Sequence, residues 1–364
     1  MAAIIRCETT CLVRPHVVLT TAYGAKKQEK SHVIVALTDK NGVVGYGEAT
    51  PLSNFTGETA RVVQLILEEV LFPVILGCDS RDIAAAHQRM DQAIAENHAA
   101  KSAVDCAMYD LMAKELGTPL YALLGGKSRE RVPINRHLGI MTVEKAVEMA
   151  KGYVAQGYRS LKMKIGRDVP AAAERIRSVR AAVGPQVRLR IDANGGLTYV
   201  QARQLIDLVR NCDLEYFEQL LPGWDLEGME QLRRICGVPI LVDEGVNSVQ
   251  DAMRYACSGA ADAFTIKLCK CGGLYPAMLL AGAAAAAGIQ VVVASTYDTH
   301  IGCSACLHLA SALPNVAAAC DLTTFATQPD QAETAHRLEQ MYLQVGGAPG
   351  IGVTSMADFP MVQK

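Results

Sequence analysis

From about Arg131 the sequence alternates short apolar runs with helical stretches, and it does so eight times. Val132–Leu138, Arg159–Ile165, Val187–Ile191, Leu214–Glu218, Pro239–Val242, Ala263–Leu268, Ile289–Ser295 and Val316–Leu322 read as strands. Val143–Gln156, Ala171–Val183, Tyr199–Arg210, Leu226–Ile235, Val249–Cys257, Leu274–Ala287 and Gly302–Leu313 read as the helices between them. Strands joined through helices pair in parallel, because only a long crossover returns the chain to the same end of the sheet. Eight such strands predict a closed barrel whose functional groups sit at the C-terminal strand ends. A doubly wound open sheet is the alternative, but no GxGxxG run follows an early strand.

The first 125 residues follow another rhythm. Val33–Leu37 and Val43–Gly47 flank the turn Asp39-Lys40-Asn41-Gly42 and predict a hairpin. Helical spacing then takes over: Val62, Leu65, Ile66 and Val70, then Asp82–Asn97, then His98–Leu116. The region beyond about 325 is polar and irregular and cannot extend a closed barrel. The expected fold class is therefore α/β: a (β/α)7β TIM-like barrel at 126–324, with an α+β capping domain built from 1–125 and completed by the tail, 325–364.

On this frame the charged residues fall into a series. Lys162 and Lys164 lie on the second barrel strand; Asp192, Glu218, Asp243 and Lys267 end the third to sixth; Asp298 follows the seventh. The steps from Lys164 are 28, 26, 25, 24 and 31 residues, one βα unit each. Core packing does not ask for a polar residue at the same end of six successive strands; an active site does. Asp192, Glu218 and Asp243 come from adjacent strands, so their carboxylates converge and repel. A hard divalent cation, Mg²⁺ or Mn²⁺, relieves that repulsion through oxygen ligands. Lys164 and Lys267 are four strands apart in a ring of eight, one on each side of a bound substrate. Lys162 shares a strand face with Lys164, and its charge favours the neutral amine that a general base requires. The reaction class that follows is proton abstraction α to a carboxylate through a metal-stabilised enediolate.

Composition excludes competing classes. The 35 basic and 37 acidic residues leave a net charge of −2, without the basic excess of a nucleic-acid-binding protein. The longest apolar run, near Met278–Ile289, is too short for a membrane span. Met1–Arg6 does not read as a signal peptide, so a cytoplasmic address is expected, with the 12 cysteines as reduced thiols. Cys303-Ser-Ala-Cys306 and Cys269-Lys-Cys271 could imitate a zinc or redox site, but Cys also packs as a small hydrophobe.

The set Lys162-x-Lys164, Asp192-x-Asn194, Glu218, Asp243-Glu244 and Lys267 resembles the enolase superfamily, and within it the muconate lactonising enzyme (muconate cycloisomerase) subgroup. The mandelate racemase subgroup would place a His where Lys267 stands. The resemblance implies that Asp192, Glu218 and Asp243 bind Mg²⁺, with Asn194 and Glu244 supporting them. It implies that Lys164 and Lys267 are the acid/base pair and that Lys162 tunes Lys164. It also implies two capping loops over the pocket, Thr20–Gly24 and Ser53–Phe55, which makes Tyr23 and Phe55 candidate substrate contacts. His137 on the first strand and Tyr297 and Asp298 after the seventh complete that set. The segment Ser295-Thr-Tyr-Asp298-Thr-His300-Ile-Gly302 departs from the subgroup, which usually carries Glu at the Asp298 position.

The activity implied is that of an isomerase: a racemase or epimerase of an amino-acid derivative such as an N-acyl amino acid or dipeptide. A muconate-type lactonising cycloisomerase and a β-eliminating dehydratase use the same residues. A catalytically dead scaffold would lack a metal ligand or a base, and neither is missing. A Schiff-base aldolase would need one reactive lysine and no carboxylate triad. The expected partners are a small-molecule carboxylate and, by resemblance, further copies of the chain.

Overall fold

The computed structural model describes residues 3–15, 19–25, 29–357, 359 and 361. The remaining positions of the expected capping segments, 1–2, 16–18, 26–28, 358, 360 and 362–364, lie outside the described residues.

The chain opens with an antiparallel sheet of three strands, Ile4–Pro15, Glu29–Asp39 and Val44–Ala49, with Glu29–Asp39 in the centre. The hairpin turn forms where the sequence places it. The Asp39 carboxylate accepts from the backbone N–H groups of Asn41 (2.9 Å) and Val43 (2.7 Å), and Gly42 takes φ +81°. The alanine-rich helix His98–Glu115 lies against this sheet almost backbone to backbone. A Cβ on Gly47 would stand 1.9 Å from the Ala103 carbonyl oxygen, and one on Gly45 2.2 Å from that of Ala107. Only glycine admits so close an approach.

The barrel is a parallel sheet of seven strands in chain order: Arg136–Leu138, Ser160–Lys164, Arg188–Asp192, Leu214–Glu218, Ile240–Val242, Ala263–Ile266 and Gln290–Val293. The segment 316–321 closes the ring by parallel bridges, Val316 to Val291, Asp321 to Ala294 and Cys320 to Ile134. The eighth strand of the sequence reading is thus a bridging segment, not a continuous ladder. The first is also divided. Arg131–Pro133 pairs antiparallel with the tail strand Tyr342–Gln344, and Arg136–Leu138 pairs in the parallel barrel sheet. The break falls where Ile134 N–H donates to Met341 and Asn135 N–H to Cys320, two partners on different elements. Helix starts are fixed by side-chain caps: Thr142, Asp168, Thr198, Asp225, Ser248 and Thr299 each accept from the first turn they precede.

Beyond the barrel the chain touches both units. The hairpin Arg337–Glu339 and Tyr342–Gln344 lies beneath the first barrel strand. Further on, Ile351 N–H donates to Asp110 on the long cap helix (2.8 Å), and Phe359 meets the Tyr46 ring edge-on at 6.0 Å. Among the described residues no helix is long and apolar enough to cross a membrane.

Candidate active site

The parallel register sets the charged residues in rows. Lys164, Asp192 and Glu218 are partners across three neighbouring strands; one layer lower are His137, Lys162 and Arg190. Asp243 follows the last residue of the fifth strand and Lys267 the last of the sixth. Lower in the barrel, Tyr216, Leu241, Ala263 and Val292 pack together, so the lumen is filled and not a pore.

Above these rows a cavity of about 460 Å³ opens between barrel and cap. Lys162, Lys164, Lys267, Asn194, His137 and Tyr297 line it from the barrel side, and Tyr23 and Phe55 from the cap. The Tyr23 hydroxyl donates to Glu244 (2.9 Å), as does the Asn194 amide (3.1 Å). The Lys267 ammonium lies 4.4 Å from the Phe55 ring centroid, and the His137 and Tyr297 rings meet edge-on at 6.5 Å.

Each predicted ligand carboxylate is buried and engaged by lysine. Asp192 accepts from Lys164 and lies 3.1 Å from Lys162. Glu218 lies 2.7 Å from Lys162. Asp243 accepts from Lys267 and, at 2.9 Å, from Lys270. Asp243 is held well below the usual carboxylate range: Lys267, Lys270 and Lys162 together overcome the opposing effect of burial. Asp192 is lowered in the same way by Lys164 and Lys162. Glu218 behaves oppositely. Burial, and the charges of Asp192, Asp321 and Asp243, push it up to about 8 against the pull of Lys162. Lys267 is raised, because Asp243 and Glu244 outweigh its burial. Lys162 is also raised, by Asp321, Glu218 and Asp192, so it does not stand as a bare charge beside Lys164.

This arrangement fits a hard divalent cation. Asp192, Glu218 and Asp243 form an oxygen-only donor set, fully buried, with one carboxylate pushed toward its neutral form by the others. Both Glu218 oxygens face one ammonium, that of Lys162, at 2.8 Å and 2.7 Å. Among the described residues no three such side chains stand close enough to hold an ion as they are; ammonium groups take that place.

Asp298 departs from the expectation. It does not line the cavity: its carboxylate turns back onto the N–H (3.2 Å) and hydroxyl (2.8 Å) of Thr296. Tyr297, at φ +66°, takes the place facing the cavity instead. His300 also points away, edge-on to Phe325 at 5.1 Å, and burial pushes it down to about 4. Cys303 and Cys306 are buried in the helix His300–Ala312, and burial raises both thiols, so they pack as small apolar groups.

Three residues near the site lie outside the sequence reading. Asp321, on the bridging segment, accepts from Lys162 (2.7 Å) and from Asn135, and lies 3.6 Å from His137. Lys270 braces Asp243 from the turn after the sixth strand. Lys30 enters from the central cap strand. Asp321 follows an apolar run as Asp192 and Asp243 do, which is the signal that finds it. Lys30 has no such signal.

Residues 2–125 match the model of the mandelate racemase/muconate lactonizing enzyme N-terminal domain, and 145–358 that of the enolase C-terminal domain-like family. The chain belongs to the mandelate racemase/muconate lactonizing enzyme family. It is an isomerase of the enolase superfamily. The chain is 33% identical over 292 residues to the N-succinyl-L-Arg/Lys racemase of Bacillus cereus, covering 79% of this chain and 78% of that protein. It is 33% identical over 362 residues to muconate cycloisomerase 1 of Rhodococcus opacus, covering 96% and 95%. The dipeptide epimerase of Enterococcus faecalis, solved with Mg and the dipeptide L-Leu-L-Tyr, superposes with a TM-score of 0.92 at 31% identity, covering 97% of this chain and all of that one.

Proposed function

We propose that this isomerase removes the proton α to a carboxylate of an amino-acid derivative and returns it on the opposite face. It would thus act as a racemase or epimerase of an N-acyl amino acid or dipeptide. The observation that carries the reading is that Lys164 and Lys267, from the second and sixth barrel strands, line one cavity from opposite sides. The racemase and the epimerase among its relatives supply the substrate class.

Asp192, Glu218 and Asp243 would hold Mg²⁺ or Mn²⁺, with Asn194 and Glu244 bracing the set. When bound, the cation supplies positive charge against the second negative charge that develops on the substrate carboxylate. Lys164 and Lys267 exchange the proton, one as the amine that accepts it and the other as the ammonium that returns it. Asp192 accepts from Lys164 and Asp243 from Lys267, so the carboxylates that would hold the cation also fix the positions of the two bases. Lys162 keeps the Asp192–Glu218 side of the site near charge balance. Tyr23, Phe55, His137 and Tyr297 shape the space beside the reacting carbon. A cytoplasmic address and a homo-oligomeric state complete the proposal.

The test is incubation in D₂O with Mg²⁺ and a panel of N-acyl amino acids, dipeptides and muconates. Deuterium at the α carbon with inverted configuration is expected. Exchange that is absent throughout, or unaffected by EDTA, refutes the reading. A lactonising cycloisomerase is the second reading, favoured by 33% identity to muconate cycloisomerase 1 along almost the whole chain. In that case one lysine transfers the proton, the other acts as a fixed cation, and a lactone accumulates.

A further inference from the structure

The wall of the catalytic cavity carries a cation that no acid in direct contact balances. Lys30, on the central cap strand Glu29–Asp39, lines the cavity and is 8% exposed. Its ammonium donates to the Thr296 carbonyl and lies 4.7 Å from the centroid of the Tyr297 ring. Among the described residues it makes no ion pair. Asp298 and Glu48 act on it from further off, and both are already engaged. Asp298 accepts from Thr296. Glu48 is paired with His32 (2.7 Å) and accepts from Thr299 and the Gly302 N–H. Glu29 and Glu58 also line the cavity. Glu29 is exposed to solvent, and burial pushes Glu58 toward its neutral form.

A buried ammonium without a counter-charge is costly, and a methionine of similar length would fill the same space without that cost. Burial pushes Lys30 down to about 8 against the more distant pull of Asp298 and Glu48, so at neutral pH the charge is present without an acid in direct contact. Lys267 and Cys269 are near enough to influence it, which places it on the side of the sixth and seventh strand ends. A ligand whose first carboxylate sits at the Asp192–Glu218–Asp243 end would extend its other end toward this cation.

We propose that Lys30 is a specificity-determining residue that receives a second anionic group. The substrate is then a carboxylate with a distal carboxylate, carried on an acidic side chain or on a diacid acyl group. The inference rests on the proton-abstraction reading for the place of the first carboxylate.

Isothermal titration at pH 7 with Mg²⁺ present tests it. The probes are N-acetylglutamate against N-acetylglutamine, and N-succinylalanine against N-butanoylalanine. At least one diacid is expected to bind wild type roughly 30-fold more tightly than its neutral counterpart. Which diacid does so identifies the source of the distal group. Lys30→Met should bring that ratio close to one, Lys30→Arg should keep most of it, and thermal melts should show both variants folded. No diacid preference in wild type, or a preference that survives in Lys30→Met, overturns the proposal. Deuterium exchange on the same mixtures separates the two readings: a diacid that binds through Lys30 but never exchanges its α proton refutes the reaction and leaves the recognition intact.

Discussion

Replacing Lys162 by Met removes the one cation shared by three buried carboxylates. Its Nζ lies 2.7 Å from Asp321, 2.7 Å from Glu218 and 3.1 Å from Asp192, and the residue is 2% exposed. Breaking a single buried pair costs about 3–5 kcal/mol, because a charge is left without its partner. With three partners the upper part of that range applies, unless the carboxylates take up a proton instead. Glu218 is the group that does so, since it already sits at about 8. Its folded value lies above its unfolded one, so the folded state binds the extra proton between them. Stability from this group is full below the unfolded value and is lost as pH rises through the folded value. Without Lys162 the folded value rises further, and the loss continues above pH 8 at about 1.4 kcal/mol per pH unit. The cost of Lys162→Met should therefore already be present at pH 6, where Asp321 loses its partner, and should be greater at pH 9 by about 1.4 kcal/mol. Guanidinium unfolding in EDTA across that range measures it, and every group that titrates alike in both proteins cancels. A difference that is constant with pH, or that shrinks as pH rises, refutes the charge-sharing argument.

Lys164→Ala and Lys267→Ala should each abolish α-proton exchange from one enantiomer first, and from opposite enantiomers, as read by NMR in D₂O. Gly47→Ala should cost about 3 kcal/mol or more, or prevent folding, because its Cβ would stand 1.9 Å from the Ala103 carbonyl; thermal denaturation reads this. Asp110→Asn should cost about 2–3 kcal/mol and open the tail to limited proteolysis, since this buried carboxylate accepts from Tyr46, Ile351 and Lys114 at once. Burial holds His137, His300 and His336 near 4, below their unfolded values, so stability should fall as pH drops from about 6.5 toward 4. Unfolding titrations over that window check the slope, which His336→Gln should reduce.

The barrel was legible because its evidence repeats. Each strand end adds one polar residue at a spacing set by the length of a βα unit, and the steps from Lys164 to Lys267 stay within 24–28 residues. At the seventh strand the step grows to 31, and there the reading fails. Asp298 belongs to a turn whose direction depends on the positive φ of Tyr297 and on hydroxyls of Thr296 and Thr324, none of which leaves a periodic trace. The division of the first strand is hidden for a related reason. Ile134 and Asn135 are torn between tail and bridging segment, partners about two hundred residues away. Periodicity reports what a residue does within its own element, and it is silent on which distant backbone satisfies that element's ends.

That silence bears on where specificity resides. Groups on barrel strands share one hydrogen-bonded register, so Lys164, Asp192 and Glu218 cannot shift relative to one another without breaking ladders on both sides. Proton transfer needs that rigidity, because reacting atoms must be held within a fraction of an ångström. The cap meets the cavity through Tyr23, Phe55 and Lys30, on elements that, among the described residues, share no strand ladder with the barrel. A substitution there changes what the cavity accepts without disturbing the rows below. Lys30 stands near the start of the central strand of the cap sheet, paired with Arg14 on one edge, while the pairing on the other edge begins at Val33. A cation fixed there keeps a defined distance from the seventh strand end, as its bond to the Thr296 carbonyl requires. It can therefore discriminate ligands by where their second charge lies, which a lysine on either capping loop could not.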